Sequence, residues 1–355
     1  MTMLAEAVDA VIGIDTHRDS HEVEIADPAG KPVATLRIGN DSAGFAQLLA
    51  AIAKMAPGPR VAVCIEGTRS YGIGLARALA AAGLLVIECE RPRRKQRRGK
   101  GKSDPVDAHL AVLAALRLDT SRVAVPRADG DREALRILLV ARQEITVAAT
   151  AQASRLRALL LAGDDADRRA ARKTLSKTAL AALAGRGLPT QASREQVVRQ
   201  AEIRRLALAL GEARCQLKDN RSQLLAIADD IAPGLTSRYG VGPVSAAQAI
   251  VSFSHPGRCR SEAAFAALGG TSPIPASSGQ TIRHRLNRGG DRALNRAIHA
   301  IALVRMRSCP RTRAYLARRT AEGKTRREIR RCLKRYIARE LYRQLNRSMK
   351  PPTSP

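Results

Sequence analysis

At 355 residues and a formal net charge of +29, the chain is long enough for two or three domains, and its charge calls for a polyanionic partner. A small acidic substrate needs no such whole-protein field, so ordinary small-molecule chemistry is disfavoured. With no Trp, three Phe and five Tyr, base-stacking platforms are not expected, and affinity should rest on salt-sensitive phosphate contacts.

AVIGID (10–15) is a short apolar run and reads as a buried strand. HEVEIA (21–26) alternates, DPAGK (27–31) is a turn, and VATLRI (33–38) completes a three-strand meander. NDSAGFAQLLAAIAKM (40–55) opens with capping residues and continues at helical spacing. RVAVCIE (60–66) is another buried strand, Tyr71 to Ala82 a helix, and LLVIEC (84–89) a fifth strand. A basic block follows: Arg91, Arg93, Arg94, Lys95, Arg97, Arg98, Lys100 and Lys102 fall within twelve positions. A further helix starts near Asp104. Meander, helix, strand, helix, strand, helix is the order of the ribonuclease-H-like fold, an α/β domain expected over residues 1–130. GIDTH (13–17) bears a slight likeness to the phosphate loop of actin-like ATPases, which leaves a nucleotide-binding arrangement as the alternative. No glycine-rich nucleotide fingerprint supports it.

Residues 131–232 are rich in Ala, Leu, Arg, Gln and Glu and carry two long helical patterns with a loop around 163–190. They predict a helical hairpin or coiled-coil arm, either a linker bundle or a dimerisation arm. A helical segment spans 233–310, with Gly240-Val241-Gly242 resembling a helix-hairpin-helix turn that could hold a phosphate on backbone N–H groups, or serving only as a turn. An arginine-studded helical tail (311–355) ends in an unstructured PPTSP. Cys64, Cys89, Cys215, Cys259, Cys309 and Cys332 form no C-x-x-C pair, which argues against a zinc knuckle or disulfide framework and for a reducing compartment. Without an apolar run of transmembrane length or a signal-peptide pattern, the reading is a cytoplasmic, nucleoid-associated protein with no membrane contact.

Asp15 ends the first strand and Glu66 the fourth, and in such a sheet these strands are neighbours. Asp104 and Asp107 lie three apart at a helix start, on one face, with Pro105 suited to the first helical position. Taken alone, D-P-V-D is a capping box, Asp15 a strand-end turn residue and Glu66 a solvated rim. Together, four carboxylates repel unless cations neutralise them, and hard oxygen ligands favour Mg²⁺ or Mn²⁺. Two such ions could activate a nucleophile and stabilise a leaving oxygen in phosphoryl transfer. The basic block would hold a phosphate backbone beside them. His17 reads as structural, and His109, two residues after Asp107, points away from it. Cys64 reads as a core residue.

GIDTH, CIEGT and KSDPVDA, followed by YGVGP, PASSGQ and RGGDRALNRAIH, resemble the DEDD transposases of bacterial insertion sequences, the insertion-sequence one-ten family. The likeness runs from about residue 10 to 310 with its motifs in order. It implies a RuvC-like catalytic domain with Asp15, Glu66, Asp104 and Asp107 as metal ligands, and a C-terminal domain bearing a nucleophilic serine. On local sequence, S-S-G is a loop with a turn serine. The resemblance instead assigns Ser278, with Ser277 as fallback, to attack on DNA and a 5′-phosphoserine link. Arg283, Arg285 and Arg288 would neutralise nearby phosphate. The implied partners are DNA at element ends and target, a structured guide RNA encoded by the element, and further copies of the chain in a dimer or tetramer, with a composite site between subunits. A Holliday-junction resolvase or endonuclease using only the metal site is the alternative, and a purely structural nucleic-acid-binding protein is a third.

Overall fold

A sheet whose strands are apolar on both faces must be covered on both faces, and the N-terminal strands have this character. In the computed structural model, residues 2–89, 104–120, 123–187, 191–276, 284, 285, 287 and 289–349 are described. A short helix, α1 (Leu4–Ala7), leads into β1 (Ala10–Thr16), β2 (Ser20–Ala26) and β3 (Pro32–Gly39). Six of the seven residues of β1 are buried, whereas β3 alternates with an exposed face, as an edge strand does. Asp41 caps α2 (Ser42–Met55) by accepting from the Gly44 N–H at 2.8 Å. Then come β4 (Val61–Glu66), with every residue buried, α3 (Ile73–Ala81), β5 (Leu85–Cys89) and α4 (Asp104–Leu116).

The strands form one mixed sheet in the order β3-β2-β1-β4-β5. The β3–β2 and β2–β1 pairs are antiparallel, and β1–β4 and β4–β5 are parallel. Alternation divides the core cleanly. Ile12, Ile14, Val63 and Ile65 pack on one face with Leu48 and Ile52 of α2 and Leu75 and Leu79 of α3. Val11, Ala62, Cys64 and Ile87 face the other way, onto Ala111, Val112 and Ala115 of α4. Cys64 is a core residue, as read from sequence. Burial and a hydrogen bond with Cys89 keep its thiol well above the usual range.

Two long helices follow, α5 (Gly130–Leu161) and α8 (Arg194–Ile231). The loop expected around 163–190 instead contains α6 (Asp165–Arg172) and α7 (Lys177–Gly185). Their caps are local: Asp164 accepts from the Asp167 N–H and Ser176 from the Ala179 N–H. α6 escapes a periodicity reading because DADRRAAR offers only Asp167 and Ala171 to its buried side. The two short helices nevertheless close a core of Leu175, Leu180 and Leu183 with Leu156, Leu160, Leu206 and Leu210. Gly240, with φ +77°, and Gly242 immediately precede α9 (Pro243–Phe253).

The remaining elements are α10 (Glu262–Leu268), a two-residue strand pair β6 (Ile274–Pro275) and β7 (His284–Arg285), α11 (Arg292–Ser308), α12 (Pro310–Ala321) and α13 (Arg326–Ser348). The arginine-rich tail is thus two helices, divided where Gly323 takes φ +78°. α13 is a core helix: Ile329, Leu333, Ile337, Leu341 and Leu345 recur every four residues and are buried. The proposed end segment PPTSP lies outside the described residues. No helix among the described residues is long and apolar enough to cross a membrane.

By contacts the chain forms two compact units, residues 1–134 with 249–355, and residues 135–248. Within the first, Glu88 of β5 is the centre of an arginine cluster. It accepts from Arg127 Nε at 2.8 Å and lies 3.4 Å from Arg69 Nε. Burial pushes its carboxyl up, but the hydrogen bond and charge of Arg127, with Arg69 and Arg258, outweigh this and leave it below the ordinary value. Arg132 donates to Val251 O at 3.1 and 3.2 Å, and burial, reinforced by Arg127, lowers its pKa to about 10. A second junction is aromatic: Phe253, Phe265 and Tyr342 meet with centroids about 6 Å apart, and the Tyr342 hydroxyl donates to Cys259 O.

Candidate active site

Two strands that run parallel in register deliver their last residues to the same edge. Ile14 pairs with Ile65, so the next residues, Asp15 (last but one of β1) and Glu66 (last of β4), lie side by side. Since Ile14 and Ile65 point into the α2–α3 core, alternation turns Asp15 and Glu66 to the α4 side. Each is only 8% exposed. The Thr16 hydroxyl donates to Glu66 O at 2.7 Å and ties the two strand ends together. Asp15 Oδ2 lies 3.4 Å from His17 Nε2, so His17 borders the site.

Helix α4 approaches this edge through a glycine. A Cβ on Gly13 would lie 2.1 Å from Ala108 O and 2.8 Å from Val112 Cγ2, so only glycine lets the helix backbone this close to β1. Asp107, the residue before Ala108, is 6% exposed. By helical spacing, positions 104 and 107 precede 108, 111, 112 and 115 on the stripe that covers the sheet. The Asp104 side chain lies outside the described residues. Gly13→Ala should therefore cost about 1–3 kcal/mol through overpacking. It should also displace the Asp107 turn enough to lower catalysis on the order of a hundredfold. Thermal melts and a cleavage assay would check both losses, with Gly211→Ala as control, since a Cβ there meets nothing within 4 Å.

The same face holds acids that the sequence reading passed over. Asp15 pairs with Glu22 and Gly13 with Glu24 across β1–β2, which puts both glutamates on the α4 side. Glu24 is buried and bonds His109 Nδ1 at 2.6 Å, while Glu22 lies 3.4 Å from Arg37. His109 does turn away from Asp107, but towards β2 and a carboxylate. A cavity of about 260 Å³ opens here, lined by Glu22, Glu24, Thr35, Arg37, Pro105 and Ala108. The alternation in SHEVEIA could have put the two glutamates on one face, but only the register sets them beside Asp15.

Asp15, Glu66 and Asp107 each carry hard oxygens of the kind a small divalent cation takes. Among the described residues, no three or more Asp, Glu, His or Cys side chains are gathered into a group that could hold a metal ion by themselves. Mg²⁺ does not require one. It is usually held by one or two carboxylates, with water and substrate phosphate completing its shell. The residues present fit such an ion.

Arg91, Arg93, Arg94, Lys95, Arg97, Arg98, Lys100 and Lys102 lie outside the described residues, as do Ser277, Ser278, Arg283 and Arg288. Arg285 is described, exposed on β7. Gly242 O accepts from the Ala246 N–H, so the Gly240–Gly242 turn sits at the N-terminus of α9, where free backbone N–H groups gather.

Comparison with known proteins gives two family matches. Residues 12–162 match a model for DEDD transposases of the IS110 type, described as "Transposase". Residues 232–317 match one described as "Transposase IS116/IS110/IS902 family". A Streptomyces coelicolor protein described as "Insertion element IS110 uncharacterized 43.6 kDa protein" is 26% identical over 368 residues, covering 90% of each chain. The first match contains Asp15, Glu66, Asp104 and Asp107, and the second contains Ser277 and Ser278.

Proposed function

The chain belongs to the IS110 family of insertion-sequence transposases, DNA-cutting and DNA-joining enzymes, and from that premise we propose a reaction centre made of two parts. The first is a ribonuclease-H-like, RuvC-like domain over residues 1–130. The strand order β3-β2-β1-β4-β5, with a helix carrying D-P-V-D against the central strands, supports it. Asp15, Glu66, Asp104 and Asp107 hold Mg²⁺ or Mn²⁺. Bound there, the ion supplies Lewis-acid stabilisation of developing phosphate charge and eases deprotonation of an attacking hydroxyl.

The second part is the serine of residues 233–310. Ser278 Oγ, with Ser277 as fallback, attacks a backbone phosphorus. Its proton passes to a base, the Ser–O–P bond forms and the P–O3′ bond breaks, leaving a free 3′-hydroxyl and a 5′-phosphoserine. A second 3′-hydroxyl reverses these events on a new partner, so joining needs no nucleotide triphosphate. Arg283, Arg285 and Arg288 balance the phosphate charge, and the block from Arg91 to Lys102 holds the backbone on either side. Gly240 and Gly242 offer backbone N–H groups to a further phosphate. A structured guide RNA selects the DNA. The 131–232 arm joins copies into a dimer and tetramer in which one copy's serine meets another's acids. The basic segment 311–355 adds charge for the polyanions, at the nucleoid of the cytoplasm.

The observation that supports this reading is the register that sets Asp15 beside Glu66 at one sheet edge, with Asp107 buried on the helix packed against that sheet. A denaturing gel for a protein–DNA adduct, with and without Mg²⁺, tests it on wild type, Ser278→Ala and Ser277→Ala. A Mg²⁺-dependent adduct lost in Ser278→Ala is expected. Full strand cleavage by both alanine variants, with no adduct in wild type, would replace the serine route by a resolvase that uses the acids alone.

A further inference from the structure

The C-terminal part of the first unit contains a cavity remote in sequence from the acids, and the charge of its walls is unbalanced. It encloses about 330 Å³ between α13 and the turn Gly270–Pro273, with Arg285 and Asn287 at one side. From α13, Arg331, Arg335 and Arg339 recur every four residues along the wall, with Lys334 and Tyr336 beside them. Arg339 Nε donates to Glu262 Oε1 at 2.7 Å and is neutralised. The other cations are not. Arg335 donates to Ser272 Oγ at 3.2 Å and Lys334 to Asn295 Oδ1 at 2.6 Å, both uncharged acceptors. Among the described residues, Arg285, Lys334 and Arg335 form no ion pair with a carboxylate, and Arg331 feels only the charge of Glu328, one helical turn away, which Thr325 and Lys324 also share. Burial, and then the charge of Arg330, push the Lys334 ammonium below its ordinary pKa. Four such cations around one space repel each other until an anion enters.

At the rim stands an aromatic ring in a chain that has few. Tyr336 is 53% exposed, and Tyr315 meets it at 90° with centroids 6.1 Å apart. A perpendicular neighbour covers at most one face of a ring, so the other face of Tyr336 is open to stack on a planar group. Arg318 lies 5.6 Å over Tyr315 and braces that ring in turn. The scarcity of aromatics argues against a platform for many bases, but a site for one base needs only one ring.

We propose that this cavity holds one unpaired nucleotide of the nucleic acid, with its phosphate among Arg285, Arg331 and Arg335 and its base on Tyr336. The inference rests on the transposase reading only in taking nucleic acid as the partner. The volume is at the small end of ligand pockets, which suits one nucleotide-sized group. A base in an intact duplex is stacked on both sides and cannot reach the ring, so the occupant is single-stranded or flipped out. The wall residues 270–273 on one side and Arg285 and Asn287 on the other bracket in sequence the segment containing Ser277 and Ser278. DNA and RNA share the required chemistry.

The test uses full-length protein and three fluorescently labelled probes of one sequence: a short single-stranded DNA, the same RNA, and a blunt DNA duplex. Tyr336→Ala should weaken a single-stranded probe roughly 5- to 150-fold, the equivalent of one base stack, and leave duplex affinity unchanged. Tyr336→Phe should restore it. Arg331→Ala should lower the log–log salt slope on that probe by about 0.7, one phosphate contact on a single strand. Loss on DNA alone, RNA alone or both identifies the source of the nucleotide. Equal losses on single strand and duplex, or no loss on any probe, would overturn the proposal. Adduct formation run on the same variants separates the two claims. A serine-independent reaction with the Tyr336 effect intact removes the catalytic reading and leaves the pocket, and the converse removes only the pocket.

Discussion

Replacing Asp15, Glu66 or Asp107 singly by alanine should cut Mg²⁺-dependent strand cleavage about a thousandfold or more without lowering Tm. A metal site that stabilises transition-state charge by several kcal/mol loses three decades of rate when a ligand goes. Asp15 and Glu66 lie on the side of the sheet that α4 covers, Asp107 lies on that helix, and each is 6–8% exposed. None of the three side chains belongs to the apolar core, so each variant should melt near the wild-type temperature. Cleavage is thus lost while melting stays near wild type, unlike the effect of a lost core contact. A Mg²⁺ titration adds an independent reading: the surviving activity of each variant should need more Mg²⁺ for half-saturation. If all three variants cleave at the wild-type rate, these acids only cap and brace the edge.

The second large effect concerns stability. Glu88→Gln should destabilise the unit formed by residues 1–134 and 249–355 by about 3–5 kcal/mol, the usual cost of removing one partner from a buried ion pair. The Glu88 side chain is 8% exposed, so solvent does little to screen the loss. Its removal leaves Arg127 and Arg69 without this counter-charge, close to Arg132 and Arg258. At roughly 2–4 °C per kcal/mol for a unit of this size, Tm should fall by about 6–20 °C. The pH dependence fixes the cause. The Glu88 carboxyl titrates below its ordinary value, so its contribution is complete above the unfolded carboxylate pKa of about 4.3 and disappears as pH falls through the folded value. Wild-type and Gln melts should therefore differ at neutral pH and converge in acid. A difference that persists unchanged into acid would assign the loss to packing instead of charge.

Much of the N-terminal layer was legible from its pattern of residues. AVIGID and RVAVCIE are apolar on both faces, a pattern that fits a strand sandwiched between helices, and the element order placed Asp15 and Glu66 on adjacent strand ends. Asp107 was legible because D-P-V-D puts its acids on one helix face. What escaped depended on pairing between distant segments. Glu22 and Glu24 join the site only through their register with Asp15 and Gly13, and His109 acquires a partner only because α4 lies across β2. The arginine density of RREIRRCLKRYIAREL hid a buried stripe whose members stand four apart, so a core helix read as an arginine-studded tail. The Glu88 cluster draws on residues 69, 88, 127, 132 and 258, and no local pattern foretells such a set.

The stripe on α13 has a consequence for biogenesis. Its apolar face packs with α10 and α11, and its Tyr342 completes the aromatic group with Phe253 and Phe265. These surfaces stay uncovered on the ribosome until residue 345 has been translated. The unit to which they belong begins with residues 1–134, and residues 135–248 must be synthesised before it can resume, a wait of roughly 5–25 s at ordinary elongation rates. A nascent chain therefore spends that interval half-assembled, and any message truncated ahead of α13 yields a polypeptide with a greasy, unsealed flank that chaperones and proteases will find first.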